Sequence, residues 1–389
     1  IICTPRNPLA PVMAKITISL LYFCKLRIYL MLEEYLSKIS PKGDYNPYQL
    51  GTSVSYYSDN FPDLSSKKIA LIGITRDDGP LQGCDLIRDE FYKLVTHTHL
   101  ENSIVDIGNL PAGETPADTH AALLGIASEL KNMGLVTILM GTHIDQGESL
   151  FKSYVASNKA VEISLISSYL PLLEYQLLHR ICSNYSDHLT TLNVLAFQAP
   201  FIPTKAIDTL QNLNFGHYRL GSIKNNMEDA ELYLRNAAIT LFDLNAIKHS
   251  DSPGKKEAQP NGLTNDEACQ LARYAGLSDV SSFFGLFEYY PEHDLQNVTA
   301  KLAAQLIWYY LDGFTARTND LPNKHDDFLK YRCDLKDNQL PILFLKSKRT
   351  NRWWMQLENH HIPCSYADYQ KAAAGELSER YLDALKKLH

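Results

Sequence analysis

The sequence predicts an α/β domain in which a parallel sheet is covered by helices on both faces. From about residue 67, short apolar runs rich in β-branched residues alternate with amphipathic stretches for roughly 250 residues. Several of these runs are continuously apolar, which is typical of strands that are buried on both faces. Alternation of strands with helices favours parallel pairing, because each helix carries the chain back across the sheet.

Eight segments have the apolar composition of strands. They are Lys68–Ile74, Ser103–Ile107, Val136–Met140, Glu162–Ile166, Leu192–Gln198, His217–Leu220, Ile239–Leu244 and Phe283–Phe287. Between them, leucines and alanines at helical spacing predict a helix over Thr119–Met133. Gly134 is expected to end this helix by adopting a left-handed backbone conformation. Another helix should begin after Thr264, because Thr264 and Glu267 have the spacing of a capping box. A third covers Thr299–Asp312 and carries an apolar stripe.

The chain is predicted to have two further parts outside this domain. Residues 1–30 include an apolar run at 16–24 that is shorter than the roughly 20 residues needed to span a bilayer. No cleavage pattern of a signal peptide follows this run, so we interpret 1–30 as an N-terminal extension. The α/β domain is expected to occupy residues 31–317, with residues 318–389 packed on it as a C-terminal extension.

The C-terminal extension is predicted to contain two strands and a helix. Residues 340–357 form two apolar runs around a polar turn, and residues 366–388 have the pattern of a closing helix. The turn carries basic residues beside two tryptophans, a combination that can stack on single-stranded nucleic acid. We interpret it as a solvated hairpin whose rings pack inward. We interpret His360, His361 and Cys364 as a polar turn, because three candidate ligands make a poor metal site.

Charge and cysteine usage limit the partners and the compartment. The formal net charge of −7 disfavours binding to phosphate backbones, so no nucleic acid and no membrane partner are expected. The 7 cysteines are scattered and form no Cys-x-x-Cys pair, which argues against a disulfide framework or a zinc ribbon. This pattern fits a reducing environment, and we expect a cytoplasmic protein.

Polar side chains follow three of the predicted strands at the point where each strand ends. His143 follows the third strand, Asp243 lies at the end of the seventh, and Glu288 follows the eighth. The carboxyl ends of parallel strands meet at one edge of a sheet, which is where functional groups gather. Such residues suit either a metal site or a structural hydrogen-bond network. The sequence contains no Gly-x-Ser-x-Gly, Gly-x-Gly-x-x-Gly or P-loop pattern.

A set of short segments extends these observations into a family resemblance. In chain order they are Gly83–Arg88, Asp106–Asn109, Met140–Asp145, Leu241–Asn245 with Pro253-Gly254, Glu288–Pro291 and Thr299–Ala304. Together they resemble the ordered motifs of the arginase/agmatinase/formimidoylglutamase (ureohydrolase) family across about residues 67–315. The resemblance implies a three-layer α/β/α arginase-like fold with a mainly parallel sheet of about eight strands.

The resemblance also implies where two manganese ions would be bound. The family's ligand positions fall on His143, Ile166, Ser168, Leu170, Asp243 and Asn245. His143 and Asp243 keep the family's ligand type, whereas Asn245 replaces an aspartate with a neutral amide. In the family, an Asp-Ala-His-x-Asp segment supplies the other three ligands. Here Ile166, Ser168 and Leu170 occupy those three positions, and none of them has the family's ligand side chain. Glu288 falls where the family holds the cationic end of its substrate, and an ion pair with a nearby Lys or Arg is the structural alternative.

Charge balance then predicts that the manganese site is degenerate. Two divalent cations bring four positive charges, and the single retained carboxylate of Asp243 cannot compensate them in a buried cleft. We expect no manganese cofactor, and at most one weakly held divalent ion assisted by Asp145 and His249. Without paired metals, water cannot be brought to a nucleophilic pKa in the family's way.

These observations lead to two functional hypotheses. The first is a pseudoenzyme or binding protein that has lost dimanganese hydrolysis of amidines and guanidines. It would bind a small molecule in the old pocket or a protein partner, and the resemblance implies a homo-oligomer. The second is an active formimidoylglutamase-type hydrolase of C–N bonds in linear amidines, with the Asp-Ala-His-x-Asp segment placed elsewhere. No other Asp-x-His-x-Asp or Asp-Ala-His pattern occurs in the chain, which favours the first hypothesis. No catalytic residue is assigned.

Overall fold

A computed structural model of the chain describes residues 31–76, 82–323, 327–334 and 341–388. The predicted N-terminal extension, residues 1–30, lies outside the described residues. Among the helices of the described ranges, none is long and apolar enough to cross a bilayer.

The α/β domain is built on a nine-stranded sheet in which every pair of neighbouring strands is parallel. Its strands are β1 (Ser55–Tyr56), β2 (Ile69–Ile74), β3 (Ile104–Leu110), β4 (Val136–Met140), β5 (Val161–Ile166), β6 (Leu189–Phe197), β7 (Gly216–Arg219), β8 (Ile239–Asp243) and β9 (Phe283–Phe287). Their order across the sheet is β1-β3-β2-β4-β9-β8-β5-β6-β7. All eight predicted strands are therefore confirmed, and the two-residue β1 is an addition that the sequence did not predict.

Helices connect these strands and cover the sheet. They are α1 (Leu50–Ser53), α2 (Gly83–Phe91), α3 (Pro116–Asn132), α4 (Gly147–Val155), α5 (Leu177–Asn184), α6 (Thr204–Asn212), α7 (Leu220–Asn225), α8 (Asp229–Leu234), α9 (Asn265–Gly276) and α10 (Val298–Thr315). A capping box at Thr115 starts α3 before the predicted position. Gly134 has a φ of +78° directly after this helix, as predicted. The predicted capping box of Thr264 and Glu267 is confirmed at the start of α9.

Two apolar clusters, one on each face of the sheet, make the domain a three-layer structure. One face of the strands packs with α2, α9 and α10, and the other packs with α3, α4 and α5. Strands β2, β3, β4, β8 and β9 are buried at every position, which explains their continuously apolar sequences. The predicted α/β/α fold with a parallel sheet is thereby confirmed.

Two of the segments that carried the family resemblance are joined by a buried ion pair. Arg88 of α2 donates from Nε and Nη2 to the carboxylate of Asp106 in β3, at 2.7 and 3.0 Å. Arg88 is 3% exposed and Asp106 is fully buried. The hydroxyl of Tyr92 donates to the same carboxylate at 2.8 Å, and Arg88 also donates to the side chain of Asn109. This network ties the start of the domain to the sheet.

The C-terminal residues form a second, antiparallel sheet with two short helices. Its strands, in sheet order, are β10 (Phe328–Cys333), β11 (Ile342–Ser347), β12 (Trp353–Leu357) and β13 (His360–Cys364), followed by α11 (Tyr366–Ala373) and α12 (Glu379–Leu388). The hairpin of β11 and β12 was predicted, and Trp354 packs inward at 1% exposure. The interpretation of His360, His361 and Cys364 as a turn is wrong, because these residues pair along β12 as a strand. The single closing helix is also wrong, because Gly375 adopts a φ of +83° and divides it.

Candidate functional site

The predicted strand ends meet at one edge of the large sheet. His143 follows β4, Glu288 follows β9, Asp243 ends β8 and Ile166 ends β5. These four strands are neighbours in the order β4-β9-β8-β5. The sheet thus brings together the polar residues that the sequence singled out at its carboxyl edge.

Glu288 is held in place by backbone and side-chain donors. Its Oε1 accepts a hydrogen bond from the backbone N–H of Ile144 at 3.0 Å, and its Oε2 accepts one from the Tyr290 hydroxyl at 2.9 Å. The Nδ1 of His143 lies 3.7 Å from Oε1. Burial opposes ionisation of Glu288, but these donors and His143 outweigh burial and lower its pKa. A φ of +66° at Glu288, unusual for a non-glycine residue, turns the chain at this point.

Asp243 is buried at the same edge and is tied to the neighbouring strand. Its Oδ2 accepts a hydrogen bond from the Ser167 hydroxyl at 2.6 Å, and its Oδ1 accepts one from the backbone N–H of Asn245 at 2.8 Å. Asp243 is 4% exposed. Burial, with repulsion from Glu288, raises its pKa to about 7. Ser167 was not predicted from the sequence, because nothing local indicates that the residue after β5 reaches β8.

The three positions assigned to lost ligands have structural contacts. Ile166 and Leu170 are buried in the apolar clusters, at 0% and 7% exposure. Ser168 is also buried; its hydroxyl donates to the carbonyl oxygen of Asn245 at 2.8 Å and accepts from Gln198 Nε2 at 3.0 Å. These residues therefore fasten the end of β5 to β8 and to β6.

A buried lysine that the sequence did not indicate interacts electrostatically with Asp243. Lys255 follows the Pro253-Gly254 turn, is 3% exposed, and donates from Nζ to the carbonyl oxygen of Ile247. Burial lowers the pKa of Lys255 to about 8, although attraction to Asp243 and Asp251 opposes this shift. The only signal in the sequence was a pair of lysines directly after the Pro-Gly turn, in a segment that otherwise has the composition of a surface loop.

Of the two residues that could assist one weakly held ion, Asp145 is paired with an arginine, whereas the buried Nδ1 of His249 has no hydrogen-bond partner in the described part of the chain. The carboxylate of Asp145 accepts a hydrogen bond from Arg180 Nη2 at 3.0 Å, and Arg180 Nε donates to Glu148 at 2.6 Å. The backbone N–H of His249 donates to the carbonyl of Gln259 at 2.8 Å. Within the described ranges, no group of three or more His, Cys, Asp or Glu side chains is arranged to hold a metal ion.

An aromatic ring near Glu288 is flanked by two basic groups. The guanidinium carbon of Arg76 and the ammonium of Lys256 each lie 4.7 Å from the centroid of the Tyr290 ring. The hydroxyl of Tyr290 also donates to Glu288, so this ring contacts both the basic groups and the carboxylate. Burial, followed by the charge of Glu288, raises the pKa of Tyr290 well above its usual value, so it remains a hydroxyl donor.

Comparison with known proteins connects this geometry to one family. No protein-family model matches the chain. A formimidoylglutamase from Streptococcus gordonii is 21% identical over 298 residues, which are 67% of this chain and 89% of that protein. The structure of formimidoylglutamase from Bacillus subtilis superposes with a TM-score of 0.60 at 14% identity, covering 72% of this chain and 95% of that one. Formiminoglutamase from Trypanosoma cruzi gives 0.57 at 17% identity, covering 66% and 96%. Agmatine ureohydrolase from Thermoplasma volcanium gives 0.54 at 14% identity, covering 69% and 94%.

The parallel sheet and its polar carboxyl edge define an arginase-like α/β protein. The relative in sequence, the superposed structures and the ordered motifs all agree on the same group of proteins. The chain therefore has the arginase (ureohydrolase) fold, and its sequence is similar to that of a formimidoylglutamase.

Proposed function

We propose that this protein is a ureohydrolase-fold binding protein that does not hydrolyse amidines or guanidines by dimanganese chemistry. The observation that carries this proposal is the set of side chains at the carboxyl edge of the sheet. Of the six family ligand positions, His143 and Asp243 alone carry the family's side chains, and Ile166 and Leu170 are buried in apolar clusters.

The residues at the edge do not fit two manganese ions. Manganese prefers oxygen and imidazole donors, and methyl groups of Ile166 and Leu170 offer none. Asp243 already receives two hydrogen bonds, and the ammonium of buried Lys255 is near enough to interact with it. A second cation would face repulsion from Lys255 with one buried carboxylate to compensate it. We therefore derive no chemical step through a metal.

The same edge suits a small molecule with charges of both signs. Glu288 is 16% exposed in its side chain and ionised, so it favours a cationic group beside it. Arg76, which also lies 3.7 Å from Glu292, and Lys256 place positive charge around Tyr290, where they favour an anionic group. An amino-acid derivative with a carboxylate and a cationic end would satisfy both, and it would be bound without being cleaved.

An active hydrolase of the formimidoylglutamase type is the second candidate. It is favoured by one observation, namely that the S. gordonii relative named formimidoylglutamase aligns with 89% of its length. The two candidates differ in metal content and in product formation, so both are accessible to direct measurement.

The test combines metal analysis with turnover and binding. The full chain is incubated with manganese, desalted, analysed by inductively coupled plasma mass spectrometry, and assayed with formimidoylglutamate, agmatine and arginine beside a manganese-loaded formimidoylglutamase. We expect well under one manganese per chain and no hydrolysis. About two tightly held ions per chain with product release would overturn the proposal.

Binding is measured separately by titration calorimetry with formimidoylglutamate. We expect heat of binding without product, and a loss of affinity of roughly tenfold or more in Glu288→Gln, because a cationic group would lose a partly buried charge partner. Asp334→Asn is the matched control, since its side chain is 77% exposed and lies in the C-terminal sheet. Equal loss of affinity in both variants would contradict a site at Glu288.

A further inference from the structure

A cavity lies far from the carboxyl edge of the large sheet, at the junction of the α/β domain with the C-terminal sheet. Its volume is about 930 Å³, within the range of small-molecule sites. One wall consists of the amino-terminal ends of β5 and β6, and the other consists of β13, α11 and α12. The cavity is therefore on the opposite edge of the sheet from Asp243, and a ligand bound in it would be independent of the proposed function.

Specific contacts hold the two walls together. The guanidinium of Arg380 in α12 lies 4.8 Å from the ring centroid of Tyr233 in α8, and its Nη2 is 3.2 Å from the hydroxyl of that tyrosine. Beside the cavity, Arg235 donates to the carbonyl oxygen of Trp353 at 2.7 Å and stacks over Trp354 at 4.8 Å. These contacts hold the C-terminal sheet and its helices against the α/β domain on either side of the cavity.

The cavity has an excess of acidic side chains. It is lined by five carboxylates, Glu162, Asp229, Asp368, Glu379 and Asp383, and by two side chains that are always basic, Lys371 and Arg380. Arg380 is paired with Asp368 at 3.3 Å and Lys386 with Asp383 at 3.3 Å, so the five carboxylates still outnumber the three basic side chains Lys371, Arg380 and Lys386. Burial, then repulsion from Asp368 and Glu228, raises the pKa of Asp229 against the opposing effect of Arg380. The field in the cavity therefore favours a bound cation.

Neutral groups in the lining suit the same kind of ligand. The rings of Tyr154, Tyr218 and Trp354 line the cavity and offer apolar contact to a carbon chain, while Lys131, Tyr233 and Arg235 respectively already lie against one face of each ring. The Nδ1 of His361 is buried and has no hydrogen-bond partner in the part of the chain that the structure describes. Burial, and the neighbouring His360, lower the pKa of His361, so its imidazole is neutral at pH 7 and able to accept a hydrogen bond from an N–H group.

We propose that this junction cavity binds a small organic cation that carries primary ammonium or amidinium groups. The carboxylates compensate its charge, the aromatic rings contact its carbon chain, and His361 accepts one of its N–H groups. Because both the α/β domain and the C-terminal sheet contribute walls, the ligand also stabilises their packing.

The test is titration calorimetry of the full chain with putrescine, and with succinate as a dianion of similar length at equal ionic strength. We expect saturable binding of putrescine and none of succinate. Asp229→Asn should weaken putrescine binding by roughly five- to tenfold, because it removes one partly buried charge. Asp383→Asn, at a side chain that is 66% exposed and therefore safe for folding, should weaken it by a smaller factor.

A control variant separates this cavity from the carboxyl edge. Glu288→Gln should leave putrescine binding unchanged, since Glu288 lies at the opposite, carboxyl edge of the sheet. The proposal would be overturned if putrescine did not bind or if succinate bound equally well. It would also be overturned if Glu288→Gln lost putrescine binding while both cavity variants kept it. Loss of formimidoylglutamate binding in the same Glu288→Gln protein concerns the proposed function alone, so the two failures are distinguishable.

Discussion

Replacing Asp243 with asparagine should stabilise the metal-free protein at alkaline pH. Folding raises the pKa of this carboxyl from 3.8 to about 7. A shift of about three units at roughly 1.4 kcal/mol per unit means that ionised Asp243 destabilises the fold by up to about 4 kcal/mol. The folded state binds the proton more tightly than the unfolded state, so this destabilisation grows as pH rises from 3.8 and is complete above about 7. An asparagine can accept from the Asn245 N–H and donate to the Ser167 hydroxyl, so it fits the same hydrogen bonds.

The assay is urea unfolding of chelator-treated protein, followed by far-UV circular dichroism. At pH 8 the Asp243→Asn variant should exceed the wild type in free energy of unfolding by about 2–4 kcal/mol, and by about 1 kcal/mol at pH 4.5. Asp312→Asn is the matched control; its side chain is 32% exposed and pairs with Arg273, so its effect should stay under about 1 kcal/mol. An Asp243→Asn variant that is less stable than the wild type at pH 8 would refute the reasoning. It would mean that a positive charge compensates the carboxylate fully.

Two further predictions concern the stability of the domain. Arg88→Leu should lower the free energy of unfolding by about 3–5 kcal/mol, because it leaves Asp106 buried without its cation, and urea unfolding measures this. Gly276→Ala should lower it by about 1–3 kcal/mol, since a Cβ there would lie 2.0 Å from the carbonyl oxygen of Tyr310, where α9 crosses α10; thermal unfolding detects the loss.

Each of these variants has a control of the same chemistry. Arg273→Leu removes an arginine from a pair whose side chains are 40% and 32% exposed, so it should cost under about 1 kcal/mol. Gly125→Ala adds a methyl group on α3 where nothing lies within 4 Å of the new carbon, so stability should stay equal or rise. Losses as large in the controls as in the test variants would contradict the burial of the Arg88 pair and the close approach of α9 to α10.

The strands of the large sheet could be predicted because buried strands have continuously apolar sequences. Val136–Met140 and Phe283–Phe287 are apolar at every position, and the structure begins and ends both strands at the predicted residues. Ser55–Tyr56 could not be found in this way, because two half-buried residues on an edge strand leave no periodic pattern. The strand His360–Cys364 was missed since its polar histidines and Pro363 have the composition of a turn, and pairing with β12 overrides that composition.

The position of the candidate site could be predicted from the sequence, but not all of its residues could. The rule that functional groups follow the carboxyl ends of parallel strands places His143, Asp243 and Glu288 together, and the structure has them on neighbouring strands. The contacts of Ser167 and Lys255 with this site depend on chain segments that are distant in sequence. No spacing rule reports which hydroxyl reaches Asp243, or that a lysine in a loop of polar composition turns into the domain.

The apolar side chains of Ile166 and Leu170 also affect how readily mutation could create a dinuclear metal site in this protein. A lineage that acquired a dinuclear centre by stepwise mutation would pass through variants with one new aspartate in place of Ile166 or Leu170. Each such intermediate buries an unpaired carboxylate among hydrocarbon side chains before any ion can be retained, a penalty of several kcal/mol against a marginally stable fold. Under the proposed function, a return to a dinuclear centre would therefore meet a barrier at its first step.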